Sequence, residues 1–207
     1  IAAFLGDAAA AMLAFAEVMP IDVPRILLAD FSNDVVRDTL NTLDAFWPRT
    51  RAALIANDRE GSKRWSLDGV RLDTAGNLLD ASLTDPADKG VSPALVRTLR
   101  EAIDAWPLST GETGELFIAA SWYARKVLIT VTGGFNAERI ARFESESVPV
   151  DNYGVGSSLL VNDRSTNTDF TMDVVKAKLA GEWIDIAKVG RRAGENPDLQ
   201  PVNLAEL

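Results

Sequence analysis

Neither cysteine nor histidine occurs anywhere in the 207-residue chain. Without cysteine there is no disulfide framework, no thiolate nucleophile and no thiolate zinc site. Without histidine, no Ser-His-Asp triad and no imidazole-ligated metal can be built from this chain alone. Also missing is any apolar run near the roughly 20 residues that a bilayer-spanning helix needs, so no membrane partner is expected. The opening Ile1-Ala-Ala-Phe-Leu5 has no basic flank and does not read as a signal peptide; a first residue other than Met raises the expectation of further chain upstream, with processing as the alternative. Basic blocks are absent too. Net charge is −9 with both signs interspersed, which argues against nucleic acid as a partner. A cytoplasmic protein is the expectation. What remains is an ordinary globular composition, 47% hydrophobic and 25% charged, long enough for a substantial core.

The chain opens with a helix signal: Asp7 as N-cap, then Ala8 to Ala11, with Met12, Phe15, Ala16 and Met19 as the apolar stripe and Pro20 as the stop. Arg25-Ile-Leu-Leu-Ala-Asp30 is a short apolar run that predicts a strand buried on both faces. A helix follows from Asp34, with Val36, Leu40, Leu43 and Trp47 on one side and Pro48 kinking or ending it. Asp68 to Asp73 reads as a second strand, and Ser92-Pro93 opens a helix that buries Leu95, Leu99, Ile103 and Trp106. Residues 107–125 read as a loop and then a short helix. Val127 to Thr132 is the clearest strand; a Gly pair, a helix capped by Asn136 and a further strand entering Tyr153 to Ser158 come after it. Alternation of strand and helix predicts an α/β fold with a parallel sheet, open or closed into an incomplete α/β barrel, over 1–168. Residues 170–179 and 182–189 around Ala180-Gly181 predict an antiparallel hairpin. With the loosely structured tail, 169–207 is expected to belong to a second small α/β layer.

Three groups of residues fall at the C-terminal ends of these strands, where parallel α/β folds build their sites. Arg71 and Asp73 point to one face of their strand. Arg71 suits a carboxylate or phosphate, and Asp73 suits a ribose hydroxyl or a developing cation. An ion pair tying the strand end to a loop explains the same two residues. Thr132-Gly133-Gly134 before a helix start exposes backbone N–H groups to an anion; taken alone, the pair is better described as a tight turn that needs Gly for its φ angle. Gly154-Val155-Gly156-Ser157-Ser158 offers two close backbone approaches and two hydroxyls, a phosphate cradle that is neither a Walker loop nor a dinucleotide fingerprint. Two such turns on neighbouring strands favour a phosphate site.

At these residues the sequence resembles the nicotinate phosphoribosyltransferases. The resemblance lies in Gly69-Val-Arg-Leu-Asp73, Thr132-Gly-Gly-Phe-Asn136 with Glu138-Arg-Ile140, Val150-Asp-Asn-Tyr-Gly-Val-Gly-Ser-Ser158, Thr168-Asp-Phe-Thr-Met-Asp-Val-Val175 and Lys188-Val-Gly190. It spans roughly residues 7–190 and matches the C-terminal part of that family. It implies an incomplete barrel plus a sandwich-like domain. The implied activity is phosphoribosyl transfer from 5-phosphoribosyl 1-diphosphate to nicotinate, giving nicotinate mononucleotide for NAD synthesis, with Mg²⁺ accompanying the diphosphate and ATP hydrolysis coupled. Carried over by motif, Thr132, Gly133, Gly134, Gly154, Val155, Gly156, Ser157 and Ser158 hold the 5-phosphate, Arg71 contacts nicotinate or the phosphoribosyl group, Asp73 the ribose, and Asp30 matches a further acidic position. Thr74-Ala75-Gly76-Asn77 stands where the family shows Ser-Gly-Asp, and the family's phosphate-accepting His lies upstream of Ile1. The implied assembly is a homodimer, or a hetero-oligomer with a chain that carries the N-terminal half. A non-catalytic phosphate-binding subunit that completes a split enzyme is the alternative.

Overall fold

The computed structural model describes residues 1–156, 158 and 173–192. Helices are α1 (Ala8–Val18), α2 (Val35–Ile55), α3 (Arg59–Arg64), α4 (Pro93–Ala105), α5 (Gly114–Arg125) and α6 (Ala137–Ser145). Strands are β1 (Ile26–Leu28), β2 (Gly69–Leu72), β3 (Leu128–Val131), β4 (Asn152–Tyr153), β5 (Lys176–Leu179) and β6 (Glu182–Asp185). Polar side chains start the helices as the sequence implies. Asp7 accepts from the Ala10 N–H at 2.9 Å, Ser92 from Leu95 at 3.1 Å and Asn136 from Arg139 at 2.9 Å. Each such cap is worth about 1 kcal/mol.

β1 to β4 form one parallel sheet in chain order, and β5 and β6 form a separate antiparallel pair around Ala180-Gly181. The expected parallel sheet and hairpin are both present. In-order parallel pairing with right-handed crossovers delivers every connecting helix to the same side of a sheet. Burial follows that rule. Leu27, Val70, Leu72, Ile129 and Val131 are fully buried in one cluster with Leu43, Phe46, Leu95, Leu99 and Ile103 from the helices. On the other face Ile26, Leu28 and Leu128 stay 49%, 37% and 47% exposed. The expectation that Arg25 to Asp30 is buried on both faces is therefore corrected: three apolar residues in a row mark a strand, but a second covering layer is not among the described residues.

Two other elements differ from the sequence reading. α2 continues past Pro48 to Ile55, so Pro48 does not end it. Pro48 lacks the N–H that would bond the carbonyl four residues back, and contacts on both sides hold the helix instead. Upstream, Trp47 packs against Trp106 and Tyr123 with ring centroids 5.9 and 5.6 Å away, and Asp44 accepts from the Trp106 indole at 2.7 Å. Downstream, Arg51 donates to Glu112 at 2.7 Å, the same carboxylate that accepts from the Trp47 indole at 3.2 Å. α3, capped by Asp58 at 2.9 Å to the Gly61 N–H, is too short to show a periodic stripe in sequence.

Adjacent residues of β3 report which face is covered. Ile129→Ala is expected to cost about 2–5 kcal/mol, as for a buried aliphatic truncation, and Leu128→Ala under about 1 kcal/mol. Urea unfolding midpoints check this; comparable losses at the two positions would mean that both faces are covered.

Candidate functional site at the strand tips

Strand register lines the candidate residues up. Leu28 pairs with Arg71, Arg71 with Thr130 and Thr130 with Asn152. The next residue of the same face on each strand is Asp30, Asp73, Thr132 and Gly154, so these four stand side by side across the C-terminal tips. Side-chain and backbone contacts knit the row together. Arg71 Nε donates to Thr132 Oγ1 at 3.1 Å and its NH2 to Asp73 Oδ2 at 3.3 Å, so both the ion pair and the strand-tip placement read from the sequence occur. Thr132 Oγ1 donates to the Leu72 carbonyl at 3.0 Å, and the Gly154 N–H donates to Val131 at 2.8 Å.

Gly133 and Gly134 both have positive φ, 91° and 77°, conformations an L side chain rarely adopts. A Cβ at Gly133 would lie 3.3 Å from Asp73 Oδ1, which measures how closely the two strand tips approach. A Cβ at Gly154 would lie 2.4 Å from Thr132 Cγ2, whereas one at Gly156 would meet nothing within 4 Å among the described residues. Gly154 is thus a packing glycine, and Gly156 is free of such contact with the described residues. Arg139 fixes the first turn: its guanidinium donates to the Gly133 and Val91 carbonyls, 2.6 Å each, and lies 4.1 Å from the centroid of the Phe135 ring. Ser158 Oγ donates to the Phe135 carbonyl at 3.0 Å, joining the second turn to the first. That bond engages the Ser158 proton, so an anion between the turns meets backbone N–H groups before this hydroxyl. Val155 packs partly buried against the core, and Ser157 lies outside the described residues.

At the β1 end the row borders a cavity of about 550 Å³ lined by Leu28, Asp30, Phe31, Asp73, Lys188 and Arg191, among others. Asp30 is 2% exposed and pairs with Lys188 Nζ, while its Oδ1 is buried without a partner among the described residues. Burial raises the Asp30 carboxyl above its ordinary value, outweighing the opposing pull of Lys188. Lys188 arrives on a strap, 186–191, that follows the hairpin. The Val189 N–H donates to Phe31 at 3.0 Å, Gly190 lies close against Leu78, and Arg191 pairs with Asp173 at 3.2 Å. Lys188 and Arg191 are site residues that the sequence reading missed. Lys188 sits in a motif of the resemblance, but nothing local to it names Asp30, 158 positions away, as its partner.

Among the described residues no group of three or more acidic side chains is arranged to hold a metal. Nor, among the described residues, is any helix long and apolar enough to cross a membrane.

Scans of protein-family models, curated proteins and solved structures find no match to this chain. The functional reading therefore rests on the residues and their geometry.

The glycines differ in what they tolerate. Gly154→Ala is expected to lower stability by about 1–3 kcal/mol through overpacking against Thr132, while Gly156→Ala leaves it within about 0.5 kcal/mol. Thermal unfolding of the two variants tests this, and equal losses would contradict it.

Proposed function

We propose that the chain is part of a phosphoribosyltransferase of the nicotinate type. The observation that carries this reading is the in-register row Asp30, Asp73, Thr132 and Gly154, with bared glycine amides at its β3–β4 end. Backbone N–H groups beside Gly133, Gly134 and Gly156 suit a terminal phosphate, because an anion there accepts several charge-assisted hydrogen bonds at once. Asp73 is placed for a sugar hydroxyl next to it, and Arg71, on the same face, for the carboxylate of a pyridine acid. In the reaction the ring nitrogen of nicotinate forms a bond to the anomeric carbon while the bond from that carbon to diphosphate breaks, its electron pair leaving with the diphosphate. The sugar passes through an oxocarbenium-like state that Asp73 and Asp30 stabilise as carboxylates. Positioning and charge placement do the work, and no covalent protein nucleophile is needed. ATP coupling and diphosphate-borne Mg²⁺ belong to the same proposal, as do a role in NAD synthesis and a cytoplasmic setting.

The bare sheet face bears on assembly. Parallel sheets are ordinarily covered on both sides, and strands that pair in chain order without reversal cover their second face by curling into a barrel. Ile26, Leu28 and Leu128 then face the lumen of an incomplete α/β barrel that further parallel strands complete, together with the second α/β layer to which the hairpin belongs. This favours a dimer or hetero-oligomer, and it is also what supports the second reading: a phosphate-binding subunit that completes a split enzyme.

Calorimetric titration with nicotinate mononucleotide checks the site. Saturable binding is expected, weakened at least about tenfold (about 1.4 kcal/mol) by Gly156→Val, with the unfolding midpoint unchanged. Unaltered affinity in that variant would remove the glycine cradle from the account.

A further inference from the structure

We propose that Lys188 binds a second anionic group of the ligand, at the β1 end of the row, exchanging its Asp30 partner for that group. The inference rests on the phosphoribosyl reading and deepens it by naming what holds the far end of the donor.

The geometry has two poles. Glycine turns occupy the β3 and β4 tips, and Lys188 stands over the β1 tip. Strands lie about 4.8 Å apart, so the poles are separated by roughly 10–14 Å. Between them, on β2, stands Asp73, whose carboxylate oxygens suit hydroxyl groups. A ligand that fits is elongated, hydroxylated in the middle and anionic at both ends. A sugar carrying a phosphate at one end and a diphosphate at the other has that form.

Lys188 is unlike an ordinary surface lysine. Its side chain is 19% exposed, against 55% for Lys176 in the hairpin, and it lines the cavity that Asp30 and Asp73 also line. The strap delivers it there through backbone attachments that do not involve the amine: the Val189 N–H on the Phe31 carbonyl and Gly190 against Leu78. The amine can therefore change partners while the strap stays in place. Three cation–carboxylate pairs surround this space, Lys188 with Asp30, Arg71 with Asp73 and Arg191 with Asp173. Lys188–Asp30 is the most buried of them, and water competes least for an ammonium held there.

The test uses the chain as it is, with two probes in magnesium-free buffer: inorganic diphosphate for the Lys188 end and ribose 5-phosphate for the glycine end. Lys188→Met is expected to weaken diphosphate binding by about tenfold or more, as for loss of a charged hydrogen-bond donor, and Lys188→Arg to retain most of it. Asp30→Asn frees the ammonium and is expected to tighten diphosphate. Ribose 5-phosphate should bind the parent and the two Lys188 variants alike. A purely structural tie would instead move Lys188→Met and Asp30→Asn in the same direction, and that result overturns the proposal, as does unchanged diphosphate affinity in Lys188→Met. Should Lys188→Met fail to fold, Asp30→Asn still decides: tighter diphosphate binding supports the proposal, and unchanged or weaker binding overturns it. Failure of the parent chain to bind ribose 5-phosphate removes the phosphoribosyl reading itself, whereas its binding ribose 5-phosphate with diphosphate indifferent to Lys188 removes only this inference.

Discussion

Four parallel strands paired in chain order, with α1, α2, α4, α5 and α6 contributing to one buried cluster with them, set the terms for everything else among the described residues. Parallel pairing sends all four C-terminal tips to one end, so residues that are far apart in sequence become neighbours across a strand spacing. Among the described residues nothing covers the apolar side chains of the other face, and the side chains that continue that face past the strand ends are the polar ones: Asp30, Asp73 and Thr132. A sheet that reversed its order would have buried that face under helices. The aliphatic stripe and the polar row are thus two consequences of one topology. On the proposed function, the first bears on assembly and the second on ligand binding.

Electrostatics at the row is tuned by burial more than by number of charges. A carboxylate as enclosed as Asp30 costs free energy to hold ionised, and its attraction to Lys188 offsets that cost only in part, as the raised pKa indicates. Two apolar residues could fill the same volume at least as stably. The Asp30–Lys188 pair lines a cavity of about 550 Å³, and on the proposed function it is poised to exchange partners with a ligand. By contrast, Glu112 with Arg51 and Trp47 secures the α2–α5 side of the core, away from the row.

Much of the fold is legible in local sequence because local physics decides it. Asp7, Ser92 and Asn136 each cap the helix they precede, Ser92-Pro93 starts α4, and Ala180-Gly181 turns the hairpin. Arg71 and Asp73 could be placed on one face of β2 from alternation alone, and the two glycine turns fall on neighbouring strand tips. The remainder was settled by partners distant in the chain. Whether Ile26 and Leu28 are covered depends on a layer outside their own segment. Pro48 stays helical because Trp106 and Glu112 brace the helix on either side of it. Gly154 and Gly156 look alike in sequence, yet only Gly154 lies against Thr132. The Lys188–Asp30 pair joins opposite ends of the chain, and no spacing rule connects them.

The central claim is that main-chain amides at adjacent strand tips hold a phosphate. Its most direct test is an amide-resolved ¹H–¹⁵N titration of the labelled protein with inorganic phosphate. The account predicts that the largest shifts fall on Gly133, Gly134 and Gly156 and saturate together. Shifts that centre instead on the cleft between α2 and α5 around Lys63, Trp122 and Lys126, or that leave the three glycines unmoved, would contradict it.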